Sequence, residues 1–285
     1  MRQWLILAGL LMTLAEPCLA DDFADDETEI TWMLAEFPPL SITGPILQGQ
    51  GYADRQVQFL IAHLPQFHHV TTNVTASRAW HDIGSRDAVC TVAAAKLPDR
   101  ERLGVFSARG FLGALNEVVV RTDHLAAFAP FRDKSGAIDL TRLAADSHLT
   151  GGYTDSASYG PAIDAFIRDE HRKTPLQMTP HMRMPLLLLD KGRIDFTFGY
   201  YMEITYYRKI NDLDNIYTAL PTTPEPVRQD GFVVCSNRPT GRKAIAAVDA
   251  LLASDEMMAA FIEPLRDWYS PADFEAAQKA ARTGH

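Results

Sequence analysis

Lys96-Leu97-Pro98-Asp99-Arg100-Glu101-Arg102-Leu103-Gly104-Val105-Phe106-Ser107 follows directly on Asp87-Ala88-Val89-Cys90-Thr91-Val92-Ala93-Ala94-Ala95, and this junction decides the fold. The upstream run carries no charge after Asp87. Such a run predicts a buried strand of the kind found in parallel sheets. Pro98 then breaks it and forces a turn or the first turn of a helix. In open α/β sheets ligands collect at the carboxyl ends of strands, which is where Arg100 falls. A guanidinium there offers a rigid fork of donors that matches a carboxylate two-pronged. The competing reading is a surface arginine in a salt bridge with Asp99 or Glu101.

On the N-terminal side, Glu29-Ile30-Thr31-Trp32-Met33-Leu34 alternates as a first strand does, and Glu36-Phe37-Pro38-Pro39-Leu40 is a loop stiffened by its prolines. The apolar spacing Val57, Leu60, Ile61, Leu64 predicts a helix from Tyr52 to Leu64, closed by Pro65. His68 to Thr75 favours β structure, and Ser77 to Ile83 gives a short helix ended by Gly84. This is the alternation of an α/β protein.

Downstream, Glu117-Val118-Val119-Val120-Arg121 reads as a strand, followed by a polar loop through Asp133-Lys134-Ser135-Gly136. Leu149 to Tyr153 is a further candidate strand. Ser158 is a candidate cap for a helix over Ala162 to Arg168 that Pro161 opens. Pro185 starts another helix through Leu189, ended near Gly192, before a strand over Ile194 to Phe198. Tyr217 to Leu220 and a proline-rich piece, Pro221 to Pro226, lead to Gly231-Phe232-Val233-Val234-Cys235. Amphipathic helices fill the rest from Lys243, including Asp255 to Pro264 and Pro271 to Ala281.

The formal charge of −9 argues against nucleic acid or an anionic membrane as the main partner. The first twenty residues have a positive charge at Arg2, an apolar run from Trp4 to Ala15 and a small residue at Ala20 before an acidic stretch. They predict a secretory signal peptide cleaved after Ala20, and hence a periplasmic protein. Cys18 follows Ala-Glu-Pro, not a lipoprotein pattern, and no other segment is long and apolar enough to cross a bilayer. There is no Gly-x-Ser-x-Gly, no His-Glu-x-x-His and no glycine-rich phosphate loop. His63, His68 and His69 lack the Cys or carboxylate spacing of a metal site, so neither metal nor cofactor is expected.

The segment resembles the extracellular solute-binding proteins of family 3, in which a strand runs into Thr-Pro-Glu-Arg and then into Phe-Ser. Pro98, Arg100, Phe106 and Ser107 fall at the same spacing, whereas Leu97 and Ala95 replace a usual Thr and Ser. Phe37-Pro38-Pro39, Gly51-Tyr52-Ala53-Asp54 and Gly192-Arg193-Ile194-Asp195 are similar to further family motifs. An uncharacterised proteobacterial subfamily is similar in carrying a Cys in each of the corresponding two strands.

The resemblance implies an α/β fold of the two-lobe periplasmic binding protein type II class. Each lobe is then a mostly parallel sheet flanked by helices, and two hinge crossings join them. Residues 21–120 and 231–285 would form lobe one and 121–230 lobe two, with crossings near Val120 to Thr122 and Val227 to Gly231. It places Cys90 beside Cys235 as a candidate disulfide, the alternative being two buried free thiols. It makes Arg100 the receptor for a ligand carboxylate, Phe37 an apolar wall, and Glu36 an acceptor for a cationic group. Ser158 and Tyr159, at a helix N-terminus, would form a second anion site on the other lobe. Tyr200 stands where amino-acid binders commonly carry an Asp for the ligand ammonium, so a plain amino acid is a poorer fit. Tyr153, Tyr159, Tyr200, Tyr201, Tyr206 and Tyr207 suit ring-bearing or amphipathic ligands, although packing explains Tyr206 and Tyr207 as well. Arg78 and Trp80 could line the cleft or only pack.

The expected function is uptake or sensing of a small carboxylate-bearing, amino-acid-like ligand by a monomer. Its partner would be an ABC transporter permease or a membrane sensor. Two alternatives remain open. One is a periplasmic enzyme similar to cyclohexadienyl dehydratase, with Glu36 or Asp155 as its acid or base. The other is an orphan scaffold that binds nothing.

Overall fold

The computed structural model describes residues 28–155, 157–180, 183–211, 217–226 and 228–283, so the predicted leader and its cleavage site lie outside the described residues. The chain opens with β1 (Glu29–Ala35), α1 (Tyr52–His63), β2 (His68–Val74), α2 (Ala76–Ser85), β3 (Val89–Ala95), the one-turn α3 (Pro98–Glu101) and β4 (Gly104–Phe106). Its middle holds β5 (Asn116–Arg121), a 3-10 stretch (Thr122–Phe131), β6 (Ile138–Asp139), α4 (Leu140–Ala144), β7 (Gly151–Thr154) and α5 (Pro161–Arg168). β8 (Leu176–Thr179), α6 (Met184–Asp190), β9 (Phe196–Tyr200), α7 (Tyr201–Asn211), β10 (Tyr217–Leu220) and β11 (Thr222–Thr223) follow. β12 (Gly231–Ser236), α8 (Pro239–Leu252), α9 (Asp255–Ile262) and α10 (Pro271–Ala281) complete the order. Among the described residues no helix is long and apolar enough to cross a membrane.

Two five-stranded sheets result, in the orders β2-β1-β3-β12-β4 and β10-β5-β9-β7-β8, each flanked by helices. They are more mixed than expected. β1 pairs in parallel with β2 and β3, but β12 runs antiparallel to β3 and β4. In the second sheet β5 is antiparallel to β9 and β10, and β7 is parallel to β8 and β9. The antiparallel members β5 and β12 are the strands that receive the chain from the other lobe. Trp32, Leu60, Val248, Phe261 and Trp268 anchor the first core, and Phe128, Leu143, Ile163 and Phe196 the second.

The chain enters the second sheet at Asn116, ahead of the expected crossing near Val120 to Thr122. Val118 and Val120 face one core of the second lobe while Val119 faces another, so these valines make β5 an interior strand and leave no room for a hinge within them. The crossings themselves lie side by side. Phe111 and Gly231 exchange backbone hydrogen bonds of 2.8 and 2.9 Å, Gly113 N donates to Asp230 at 3.2 Å, and Arg228 Nη1 donates to the Gly113 carbonyl at 2.7 Å. A Cβ on Gly113 would stand 1.8 Å from the Gln229 carbonyl oxygen, so only glycine permits this approach. Arg228 also meets Asp273 of α10 at 3.3 Å. Burial, then the nearby Asp273 charge, pushes the Glu117 carboxyl up to about 7 against the opposing pull of Arg228.

α7 belongs to lobe two by chain order yet packs on both lobes. Met202 and Tyr206 sit in the first core, and Ile204 and Tyr207 in the separate core of the second lobe that Val119 faces. Tyr206 lies 6.4 Å from the Trp268 ring, and Lys209 Nζ lies 4.3 Å from the same ring.

Cys90 and Cys235 face each other across β3 and β12 and form a disulfide, both fully buried. The bridge spans a sequence separation of 145 residues and so encloses all of lobe two. On the chain-entropy model a loop of that length stabilises the fold by up to about 5 kcal/mol. Urea unfolding of the protein under oxidising and reducing conditions is expected to show a loss of several kcal/mol on reduction, and Cys235→Ser should behave like the reduced protein. Equal midpoints in the two conditions would contradict a stabilising bridge.

Candidate functional site

Arg100 sits where the junction of strand and turn predicted. Pro98 occupies the first turn of α3 after Leu97, and the guanidinium folds back on the end of β3, donating to the Ala95 carbonyl at 3.3 Å. Its Cζ atom lies over the Trp80 ring, 4.6 Å from the ring centre. The neighbouring carboxylates are engaged elsewhere: Glu101 with Lys96 at 3.7 Å and Asp99 with Arg102 at 3.4 Å. Among the described residues no carboxylate lies within 4.0 Å of Arg100, which sets aside the salt-bridge reading. Burial lowers its pKa, but an arginine remains charged.

The loop from Glu36 to Leu40 is fixed by a buried carboxylate. Asp54 accepts from Ser41 Oγ at 2.6 Å, from Ile42 N at 3.0 Å and from Gly51 N at 3.0 Å. Phe37 and Ser41 pair through their backbones, which holds the half-exposed Phe37 ring against both of the cavities that line the lobe junction. The smaller, about 150 Å³, is lined by Phe37, Tyr52, Ala93, Ala95, Tyr200 and Asp230 among others. The larger, about 280 Å³, is lined by Glu36, Phe37, Pro38, Arg183, Leu186, Glu203, Tyr206 and Tyr207. Ala95 thus joins the Arg100 receptor to the smaller cavity, and Phe37 joins the two cavities.

On the second lobe the arrangement differs from the expectation for Ser158. Gly160, at φ 92°, is the residue that begins α5, so Ser158 does not cap it. Asp164 of that helix accepts from Ser158 Oγ at 2.7 Å and from Tyr159 N at 2.8 Å. The N-terminus of α5 therefore holds a carboxylate of its own chain. Tyr159 is buried, its hydroxyl accepts from Thr154 N at 2.9 Å, and its ring packs 5.8 Å from Phe198. Asp155 lies exposed just past β7. Tyr200 is half-buried, lines the smaller cavity and bonds Asn116 of β5 through its hydroxyl.

Glu203 is the site residue that the sequence reading missed. It lies in the first turn of α7, and its Oε2 is 3.4 Å from Tyr200 N and would lie 3.0 Å from a Cβ on Gly199. A carboxylate therefore stands one helical turn beyond Tyr200, beside the position where none was expected. The signal was present: Met202, Tyr206 and Ile210 repeat at helical spacing, with a glutamate at the N-terminal end where the helix dipole favours it. Burial pushes the Glu203 carboxyl up to about 7. Tyr200 is raised by burial and then by the Glu203 charge, while Tyr52 and Tyr159 are raised by burial first, with Glu203 a lesser cause. Near neutral pH Glu203 thus alternates between a carboxylate, which a ligand cation would stabilise, and a carboxylic acid, whose proton a substrate could take.

Glu117 and Glu203 both hold protons in the folded state at pH values where an unfolded glutamate has lost them. Stability at these groups is therefore complete below about pH 4.5 and falls as pH rises through 7. Thermal melts from pH 5 to pH 8 are expected to show a falling midpoint, and Glu203→Gln and Glu117→Gln should each flatten part of that slope. A profile unchanged by both substitutions would contradict the assignment.

Comparison with family models finds no match, and comparison with curated proteins finds none. Solved structures do match. The second substrate-binding domain of GlnP from Lactococcus lactis superposes with a TM-score of 0.61 at 12% identity, over 85% of this chain and 95% of that one. The probable amino-acid ABC transporter extracellular-binding protein ytmK from Bacillus subtilis gives 0.61 at 12%, over 86% and 99%. An ancestral cationic amino acid solute-binding protein gives 0.62 at 13%, over 86% and 97%. At such identities the likeness shows the fold alone: this chain has the two-lobe architecture of the type II periplasmic binding proteins.

Proposed function

We propose that the protein is an exported solute-binding protein that closes its two lobes on a small carboxylate-bearing ligand for uptake or sensing. The observation that carries this reading is Arg100: a half-buried guanidinium at a strand end, held in place and lacking a carboxylate partner among the described residues. Glu203 supplies a counter-charge for a ligand ammonium in the adjoining cavity, so an amino-acid-like zwitterion fits better than Tyr200 alone suggested. Of the proteins that share the fold, ytmK is named a probable amino-acid ABC transporter binding protein and another an ancestral cationic amino acid solute-binding protein, which supports the ligand class and a permease as partner. The apolar leader supports export. Phe37, Glu36 and Tyr200 line the walls of the ligand space, while Ser158 is held by Asp164 and Tyr159 packs in the core of lobe two.

A second reading rests on Glu203 as well. A cleft carboxyl near 7 suits general acid or base work at neutral pH, which makes Glu203 a better candidate than Glu36 or Asp155 for an enzyme similar to cyclohexadienyl dehydratase.

Thermal melts of the mature protein against amino acids, keto acids, aromatic acids and short peptides test both. A ligand at a hundredfold excess over Kd should stabilise by about 2.7 kcal/mol, and Arg100→Ala should abolish the shift. A stabilising carboxylate whose effect survives Arg100→Ala, or no stabilisation by any carboxylate, overturns the binding reading. Prephenate turnover lost in Glu203→Gln would establish the enzyme instead.

A further inference from the structure

An arginine can act as a receptor only if its side chain is held, since its free rotamers carry about 2 kcal/mol of entropy. Among the described residues two contacts hold the Arg100 head: the Ala95 carbonyl at 3.3 Å and the face of Trp80 at 4.6 Å. The first engages a single N–H at the long end of hydrogen-bond range. Trp80 is therefore the contact that sets the plane.

The indole is itself fixed by its surroundings. It stacks on Phe106 of β4 with 6.4 Å between centroids and 24° between planes, and Phe106 packs edge-on against Phe232 of β12 at 6.2 Å. α2, which carries Trp80, starts with Thr75 accepting from Arg78 N and is braced by Asp82 between Arg78 and Arg86 at 2.9 and 3.1 Å. A Cβ on Gly84 would stand 3.0 Å from Leu103 Cδ2, so α2 lies directly against the segment that carries Arg100. All of these elements belong to lobe one, so the platform and the guanidinium move together when the lobes close.

We propose that Trp80 is the positioning residue of the anion receptor, an inference that rests on the binding reading above. With one face of the guanidinium covered by indole and one N–H given to Ala95, the remaining donors point outward in the plane. A carboxylate must then enter edge-on and two-pronged. Stacking by a ligand ring on the covered face is excluded, and such a ring is left to Phe37, Tyr52 and Tyr200.

The test uses the mature protein labelled with 15N and acetate as the simplest carboxylate probe. The Arg100 Nε–Hε signal, identified by its absence in Arg100→Lys, should lie upfield of the other arginines because of the indole ring current. Trp80→Leu should return it to the arginine envelope and weaken acetate about tenfold, a cation–π contribution of ordinary size, while Trp80→Phe retains most of both effects. Melts of each variant confirm that it folds. A signal that stays in place in Trp80→Leu, or that moves while acetate affinity is unchanged, overturns the positioning role. If acetate leaves the wild-type Arg100 signal unmoved while that signal still depends on Trp80, the binding reading has failed, and the proposal falls with it by a distinguishable route.

Discussion

Gly113 and Gln229 lie closer than any side chain would allow, and the rest of the molecule is arranged around that contact. Two crossings packed side by side act as one jointed strap. β12 can then return to the first sheet beside β3, where Cys235 meets Cys90, and the C-terminal helices can finish the lobe that the N-terminus began. Because the strap is bonded within itself through Gly113, Asp230 and Arg228, a change in lobe angle must be absorbed at its ends. Those ends carry Asn116 and Glu117, and Asn116 pairs with Tyr200 at the end of β9. α7 spans the same junction, with Glu203 at its start and Tyr206 against Trp268 farther along.

Charge is distributed unevenly between the two sides. Among the described residues lobe one leaves a cation without a carboxylate partner at Arg100, and it does so while Asp99 and Glu101 are paired elsewhere. Lobe two does the reverse at α5, where Asp164 takes up the donors that an anion would have used. On the binding reading proposed above, the anion end of the site belongs to lobe one alone. Glu36 of the first lobe and Glu203 of the second line one cavity, and on the same reading a ligand carrying both charges would bridge the lobes, whereas a simple anion would hold only one of them. If the lobes close on a ligand as proposed, this asymmetry would give that closure a physical cause, since only a ligand with differential contacts in the closed state can shift the equilibrium.

Much of this was legible before any coordinates. The uncharged run from Val89 to Ala95 could be little other than a buried strand, Pro98 had to end it, and the spacing of Val57, Leu60 and Leu64 required a helix. These are local effects of backbone sterics and burial periodicity. α7 escaped notice because its aromatic and β-branched residues, Tyr201, Ile204, Tyr206 and Tyr207, weaken helix propensity, and its stability comes from packing on two cores at once. The 3-10 stretch from Thr122 to Phe131 was read as loop for the same reason: nothing local favours it, while Phe128 is wholly buried.

The sequence by itself determined that an arginine follows a buried strand, that an acidic chain of α/β type carries it, and that Cys90 and Cys235 fall in apolar strands. These follow from residue chemistry and near-neighbour spacing, which a linear string displays. Only the tertiary structure decided that Arg100 is free of Asp99 and Glu101, that Trp80 lies across its face, that Ser158 is claimed by Asp164, and that Glu203 enters the cleft. Each of those depends on which side chains reach one another through space, across separations that the order of residues does not encode.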